Sequence, residues 1–421
     1  MTAGKNWAGN YAYRAERLHR PTTLEQVQEI VATAPRIRVL GSRHSFTGIA
    51  DSAELVSLEA VHAAGTPLAG IDVDLKARTV SVGGGVKYGE LAEVLRDAGA
   101  ALHNLASLPH ISVAGAVATA THGSGVTNGN LATAVRAMEM VTSSGEIVRA
   151  SRGDTDFDGM VVGLGALGAV TRLTLDIEPA FEVEQRVFEG LAWEALDEHF
   201  DEITACGYSV SLFTRWGDDV EMVWVKTRTD QGGGPDGDLF GAVPAVVDRN
   251  PVVELDPTSC TPQLGRPGLW SDRLPHFRLG FTPSAGDELQ SEYLLPHRSA
   301  VAAIQAVRSL ADRIRPLLLT CEIRTVAADR LWMSTAYDQA SVGLHFTWKP
   351  TPAAVTDVLV DLERILSPFA ARPHWGKLIR ADAAAIAPLY ERHADFVRLT
   401  ERLDPRGAFH NAWLEEHVLN S

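Results

Sequence analysis

Only three cysteines occur in the 421 residues, and Cys206, Cys260 and Cys321 are far apart and odd in number. That excludes a disulfide framework and a cysteine metal knuckle, and leaves buried or idle thiols. Positive charge is scarce as well: 38 Lys and Arg stand against 53 Asp and Glu, a formal net charge of −15, and no run of Lys or Arg makes a local basic patch. A surplus of this sign repels nucleic acid and anionic membrane surfaces. No stretch approaches the roughly 18 uninterrupted apolar residues of a membrane span. Met1–Tyr13 has neither the apolar core of a signal peptide nor a basic, acid-poor transit character, so a cytoplasmic location is expected. No metal site is expected, and there is no long biased tract or internal repeat. What is present, 45% hydrophobic and 22% charged residues, is the composition of a folded globular enzyme. The length implies two packed domains, or three at most.

Hydrophobic spacing organises the first part. Leu24, Val27, Ile30 and Val31 predict an amphipathic helix over 22–34, followed by a short strand Arg36–Leu40 and a glycine turn. Thr79–Val82 runs as a strand into Gly83-Gly84-Gly85, and Leu91, Val94 and Leu95 mark a helix that stops at Gly99. Met138–Thr142 and Glu146–Ala150 flank Ser143-Ser144-Gly145 as a hairpin, and Val170–Ile177 is a further strand. After Pro179, strands at Ser209–Phe213, Met222–Lys226, Glu292–Leu295, Thr320–Val326 and Gly343–Trp348 alternate with helical spans, predicting an antiparallel α+β domain. The Gly- and Pro-rich stretch 231–252 reads as a surface excursion. A last segment holds an apolar helix near 385–399 and the turn Asp404-Pro405-Arg406-Gly407.

Gly163-Leu164-Gly165-Ala166-Leu167-Gly168 matches the dinucleotide fingerprint G-x-G-x-x-G, but its context is wrong. The fingerprint opens a helix, whereas Val170–Asp176 alternates like a strand; a close-packed turn explains the glycines.

Two other segments carry more. Gly41-Ser42-Arg43-His44-Ser45-Phe46 is a tight turn directly after a strand, and Ala106–Gly125 is dominated by small residues and hydroxyls, which let backbone N–H groups approach a pyrophosphate. By itself, a lone His in a Gly/Ser turn is a surface or capping residue. In Thr320–Val326, alternation puts Glu322 and Arg324 on one face with Cys321, Ile323 and Thr325 on the other; in Gly343–Trp348 it pairs His345 with Thr347. From pattern alone these are the solvated face of an antiparallel sheet.

Together with Asn6-Trp7-Ala8-Gly9-Asn10, Cys321-Glu322-Ile323-Arg324-Thr325, His345-Phe346-Thr347-Trp348 and His374-Trp375-Gly376-Lys377, the two blocks resemble the vanillyl-alcohol-oxidase superfamily, and nearly end to end the alditol-oxidase family within it. The resemblance implies an α+β fold: a two-part FAD-binding domain of the PCMH type over 1–178, an antiparallel-sheet substrate domain over 179–374, and a segment 375–421 returning to the FAD domain. It implies FAD bonded covalently from His44 to the flavin 8α carbon, with Gly41, Ser42, Arg43, Ser45, Ser107, Ser112, Gly115, Thr119, Ala120, Thr121, His122, Val170 and His374 as cofactor residues. Arg43 departs from the small residue often found there, and its cation either pairs with a flavin phosphate or points to solvent.

By the same resemblance, Ser107, Glu322, Arg324, His345, Thr347 and Lys377 would bind a small polyol such as xylitol or sorbitol, and Lys377, His345, Glu322 and Arg324 would serve its oxidation. A neutral, flexible polyol needs acceptors such as Glu322 and donors such as Arg324. Hydride would pass to flavin N5, with His345 or Lys377 managing the hydroxyl proton, and oxygen would then be reduced to hydrogen peroxide by a monomeric enzyme. The rivals are a sugar-1,4-lactone oxidase or dehydrogenase, an oxygen-blind flavin dehydrogenase, and a non-catalytic flavin- or sugar-binding protein. The His-x-Thr pair favours the alditol reading over the lactone one.

Overall fold

Thr23 accepts a hydrogen bond from the Gln26 N–H at 3.3 Å and starts the helix Leu24–Thr33, whose Val27 and Val31 are buried. In this computed structural model, which describes residues 4–63, 70–232, 234–281 and 287–420, that helix leads into a three-stranded parallel sheet with Glu54–Val56 between Arg17–His19 and Ile37–Val39. Met1–Ala3 and Gly233 of the excursion lie outside the described residues. A second sheet has five antiparallel strands in the order Ile71–Asp74, Thr79–Gly83, Ala169–Asp176, Val135–Val141, Ile147–Ser151. The last two form the expected hairpin, with Gly145 at φ 83°.

Along Ala169–Asp176 every second side chain is buried, so a strand and not a helix follows the 163–168 glycines. In that turn Leu164 and Gly165 have φ of 51° and 66°. A Cβ on Gly168 would sit 2.7 Å from the Val141 carbonyl oxygen, so close packing accounts for that glycine.

From Glu182 onward the chain builds a nine-stranded antiparallel sheet. Its main path runs Val243–Pro244, Glu182–Ala192, Asp219–Arg228, Ser209–Thr214, Leu318–Val326, Ser341–Trp348, Leu289–Pro296, Arg372–Pro373, and Gly268–Leu269 pairs beside Glu182–Ala192. One face buries Ile323, Leu344, Phe346 and Trp348 in a core shared with the helices Trp193–Thr204, Ala300–Arg308 and Pro352–Leu366. The last helix starts on Pro352 and buries Val355, Val358, Leu359, Leu362 and Leu366 at three- and four-residue spacing. Each such aliphatic side chain contributes roughly 1.5–3 kcal/mol. The opposite, polar face is not solvated: Glu322 and Arg324 are 3% and 5% exposed, because it turns toward the first part of the chain.

Two expectations need correcting. The excursion 231–252 leaves Val246 83% exposed, yet it also adds the strand Val243–Pro244 to the sheet edge and buries Val252. The helix expected near 385–399 is split into Ala383–Ile386, a tighter turn Ala387–Leu389, and His393–Leu403, since Pro388 lacks the N–H that would continue the first piece. Among the described residues, no helix is long and apolar enough to cross a membrane.

Past Arg372 the chain packs Trp375, Phe396, Leu399 and Leu414 into the same core as Val80, Val82 and Leu173. Arg38 pins this return. Buried at 3% exposure, it donates to the carbonyls of Phe409 (2.9 Å), Gly165 (2.8 Å), Leu164 (2.7 Å) and Ile49 (2.5 Å). Arg38→Met removes this donor from four carbonyls, of which, among the described residues, only that of Ile49 keeps another, from Asn411 Nδ2 at 3.2 Å, and is expected to cost about 3 kcal/mol or more, read as a fall in the apparent melting temperature; an unchanged melt would contradict this.

Candidate active site

A cavity lies between the polar face of the large sheet and the glycine turns of the first part. At one end the 41–46 turn is clamped from three sides. Asn6 Nδ2 donates to the Ser45 carbonyl at 3.0 Å, Asn10 Nδ2 to the Phe46 carbonyl at 2.9 Å, and the Phe46 N–H to the Gly376 carbonyl at 2.8 Å. Trp7 stacks on the His44 ring with centroids 5.5 Å apart and planes at 18°. Burial pushes the His44 imidazole down to about 4, helped by the nearby His110, so the ring is neutral at physiological pH. Among the described residues neither ring nitrogen has a hydrogen-bond partner. Arg43 takes a left-handed φ of 64°, a conformation easiest for glycine.

The small-residue block packs directly on this turn. Ser112 donates its N–H to Ser42 Oγ at 3.0 Å. A Cβ on Gly41 or Gly115 would lie 2.7 Å from Ser112 Oγ. The short helix Val113–Ala118 presents Gly115 to the cavity, and its C-cap Thr119 lines it beside Thr121 and His122.

The other wall is a ladder of cross-strand partners. Thr320, Thr347 and Gln290 form one row, and Glu322, His345 and Glu292 the next; successive rows are about 6.6 Å apart, two residues along a strand. Arg324 lies between the two carboxylates, with Nη2 2.7 Å from Glu292 Oε1 and Nε 3.6 Å from Glu322 Oε2. The turn His374–Lys377 brings Lys377 Nζ to 2.8 Å from Glu292 Oε2, and His122 Nε2 approaches Glu292 Oε1 at 3.2 Å.

Burial pushes both carboxyls up, but the opposing charges outweigh it. Lys377, Arg324 and His122 hold Glu292 well below the usual carboxylate range, and Arg324, with a hydrogen bond from His276, does the same for Glu322. Burial lowers the Lys377 ammonium, with Glu292 opposing. His345, whose ring nitrogens have no hydrogen-bond partner, is pushed down to about 4 by burial and then by the Lys377 charge. Its basicity is thus far from the neutral value assumed on sequence grounds. His122, Glu292 and His374 have ligand-type atoms within 4.8 Å of one another, but Arg324 and Lys377 already neutralise that carboxylate and would repel a metal cation.

Most of the expected site residues converge on this cavity: Gly41, Ser42, Arg43, His44, Ser45, Ser107, Ser112, Gly115, Thr119, Thr121, His122, Glu322, Arg324, His345, Thr347, His374 and Lys377 all line it. Ala120 and Val170 do not. Ala120 is fully buried in the core at φ 51°, and the Val170 carbonyl packs on Gly84, where a Cβ would lie 2.2 Å away. Sequence reasoning missed Glu292, Gln290, Thr320 and His276, as well as Leu164 and Gly165 of the rejected fingerprint. Alternation along Glu292–Leu295, read against His345, contained a signal for Glu292; His276, in an irregular segment, offered none.

Residues 15–151 match the family of FAD binding domains, and residues 287–417 that of D-arabinono-1,4-lactone oxidase. The chain is similar to alditol oxidase of a Streptomyces species, 50% identical with 99% of each chain covered, and to L-gulono-1,4-lactone dehydrogenase of Mycobacterium tuberculosis, 28% identical with 96% of each covered. The crystal structure of cholesterol oxidase from B. sterolicum superposes with a TM-score of 0.77 at 15% identity, covering 99% of this chain and 96% of that one, a likeness of fold.

Glu292→Gln removes the carboxylate that Arg324 and Lys377 share. It is expected to destabilise the chain by about 3 kcal/mol at neutral pH, measured by thermal denaturation. Because the folded carboxyl is held below its ordinary value of 4.5, the wild-type advantage is present above that value and lost as pH falls through the lower folded one. The gap between wild type and variant should therefore close on acidification; a gap independent of pH would contradict the assignment.

Proposed function

The chain belongs to the alditol oxidase family of FAD-dependent oxidoreductases, and from that premise we propose that it oxidises the terminal hydroxyl of a small linear alditol to the aldehyde, with oxygen as the final acceptor. The observation that carries this reading is the polar ladder: Glu322, Arg324, His345 and Thr347 on one face, opposed by Lys377, offer a hydroxyl-rich neutral substrate both donors and acceptors, and the cations Arg324 and Lys377 are matched by the carboxylates Glu322 and Glu292.

The residues suit the cofactor. His44 has two buried ring nitrogens without partners, Trp7 holds its plane, and the contact between the Gly41 and Gly115 positions and Ser112 leaves no room for side chains. Gly41, Ser42, Ser45, Ser112, Gly115, Thr119, Thr121 and His122 would hold the FAD, with His44 as the point of covalent attachment. When bound, FAD supplies the acceptor for the hydride of the carbinol carbon and passes the electron pair to oxygen.

The protein's part is to hold the substrate and manage one proton. Lys377, ion-paired with Glu292, acts as a cation that stabilises the alkoxide forming at the reacting oxygen. His345, neutral and without a hydrogen-bond partner among the described residues, is the group placed to take the hydroxyl proton, although burial and the Lys377 charge keep it a weak base until that charge is offset by the forming alkoxide. Glu322 accepts from, and Arg324 donates to, the neighbouring hydroxyls, and Ser107 and Thr347 fix the remainder. The match of residues 287–417 to a lactone oxidase family supports a second reading, oxidation of a sugar 1,4-lactone at the same site.

Two measurements test these statements. Xylitol added without oxygen should bleach the visible absorbance of the purified protein, and air should restore it; bleaching by L-gulono-1,4-lactone and not by xylitol would move the substrate to the lactones. Acid precipitation of the wild type should carry the yellow colour into the pellet, while that of His44→Ala should release it. Release from the wild type would refute the covalent link.

A further inference from the structure

Behind Glu322 lies a cation outside the cavity wall. Lys226, on the strand Asp219–Arg228, is 1% exposed, and its Nζ donates to the carbonyls of Leu274 and of Pro275 (3.2 Å) and to His276 Nδ1 at 3.0 Å. An ammonium has three N–H donors and no acceptor, so these bonds use it fully and make Nδ1 the accepting nitrogen of His276. The proton of the neutral ring is then on Nε2, which donates to Glu322 Oε1 at 2.7 Å.

The other end of the chain demands the same tautomer, because Glu322 is kept ionised beside Arg324 and can only accept. Edge contacts with Phe213 and Trp224, at centroid distances of 5.5 and 5.2 Å, hold the His276 ring in place. Burial and the Lys226 charge push that ring down to about 4, so it stays neutral. Burial also draws the Lys226 ammonium down to about 7 against the pull of Glu322. A buried cation is a net expense to the fold, since an apolar side chain of similar volume would fill the space without desolvating a charge. Its return lies in what it orients.

Taking the alditol reading as its basis, we propose that Lys226 is a positioning residue for substrate recognition: by fixing the tautomer of His276 it commits Glu322 Oε1 to the protein and leaves Oε2 to accept a substrate hydroxyl. Among the described residues Oε2 has longer contacts, with Arg324 Nε and His345 Nδ1, both at 3.6 Å.

Steady-state kinetics on xylitol with Lys226→Met, His276→Phe, His276→Gln and the double variant Lys226→Met/His276→Phe test this in the FAD-loaded enzyme. Lys226→Met and His276→Phe should each raise KM about tenfold or more with kcat changed less than about threefold, and His276→Gln, which retains an N–H donor, should bring KM back toward wild type. The double variant should be no worse than His276→Phe alone, since residues acting through one another are not additive. Additive effects, an unchanged KM, or a loss confined to melting temperature and FAD content would overturn the relay. If Lys226→Met does not accumulate, NMR of [15N]histidine-labelled wild type decides, with His276 identified by its missing signal in His276→Gln: an Nε2-protonated neutral ring is expected, and an Nδ1-protonated one overturns the proposal. A wild type that xylitol fails to bleach removes the alditol reading and this inference with it, whereas a bleached wild type with additive variants removes the relay alone.

Discussion

Two carboxylates buried at 0% and 3% exposure, Glu292 and Glu322, remain charged because Arg324 lies between them. Taking such groups out of water costs several kcal/mol per ion unless partners are held in good geometry, and the rest of the site follows from that constraint. Lys377 is placed by Glu292, His276 by Glu322, and His345 by the strand between the two carboxylates. The strands cannot slip, because a shift of one residue would send Glu322 and Arg324 into the apolar core and Ile323 into the cavity. The helices behind the sheet, packed on Leu344, Phe346 and Trp348, thus hold the charge pattern in register as well as burying area.

The opposite wall obeys a different rule. There the requirement is closeness, and the residues are small: Gly41 and Gly115 against Ser112, with two asparagines and a stacked tryptophan fixing the His44 turn. The cavity thus lies between a wall without bulk and a wall of polar groups. The two meet where the Phe46 N–H bonds the Gly376 carbonyl, one residue before Lys377. Lys377 is therefore positioned by the His44 turn on one side and by Glu292 on the other.

How much of this was legible in the sequence differs between the walls. Strand alternation assigned the faces of Thr320–Val326 and Gly343–Trp348 correctly, but a polar face reads the same whether water or another part of the chain covers it, so only the resemblance pointed to a pocket. The glycine turn and the Asn6–Asn10 motif were visible as residue types, and the structure supplies the reason they occur together. Glu292 escaped because it acquires its role only when three strands stand side by side, and His276 and Lys226 because no local pattern marks a buried relay. Pro388 was the opposite case, a local signal that should have ended the helix expected across it.

The most direct test of the account is a crystal structure of the protein with xylitol bound in the absence of oxygen. The terminal hydroxyl oxygen should lie within hydrogen-bonding distance of both Lys377 Nζ and a ring nitrogen of His345, with Glu322 Oε2 and Arg324 engaging the neighbouring hydroxyls and the Glu292–Arg324 pair intact. A polyol bound away from Lys377, or a Glu292 turned out of contact with Arg324, would contradict it.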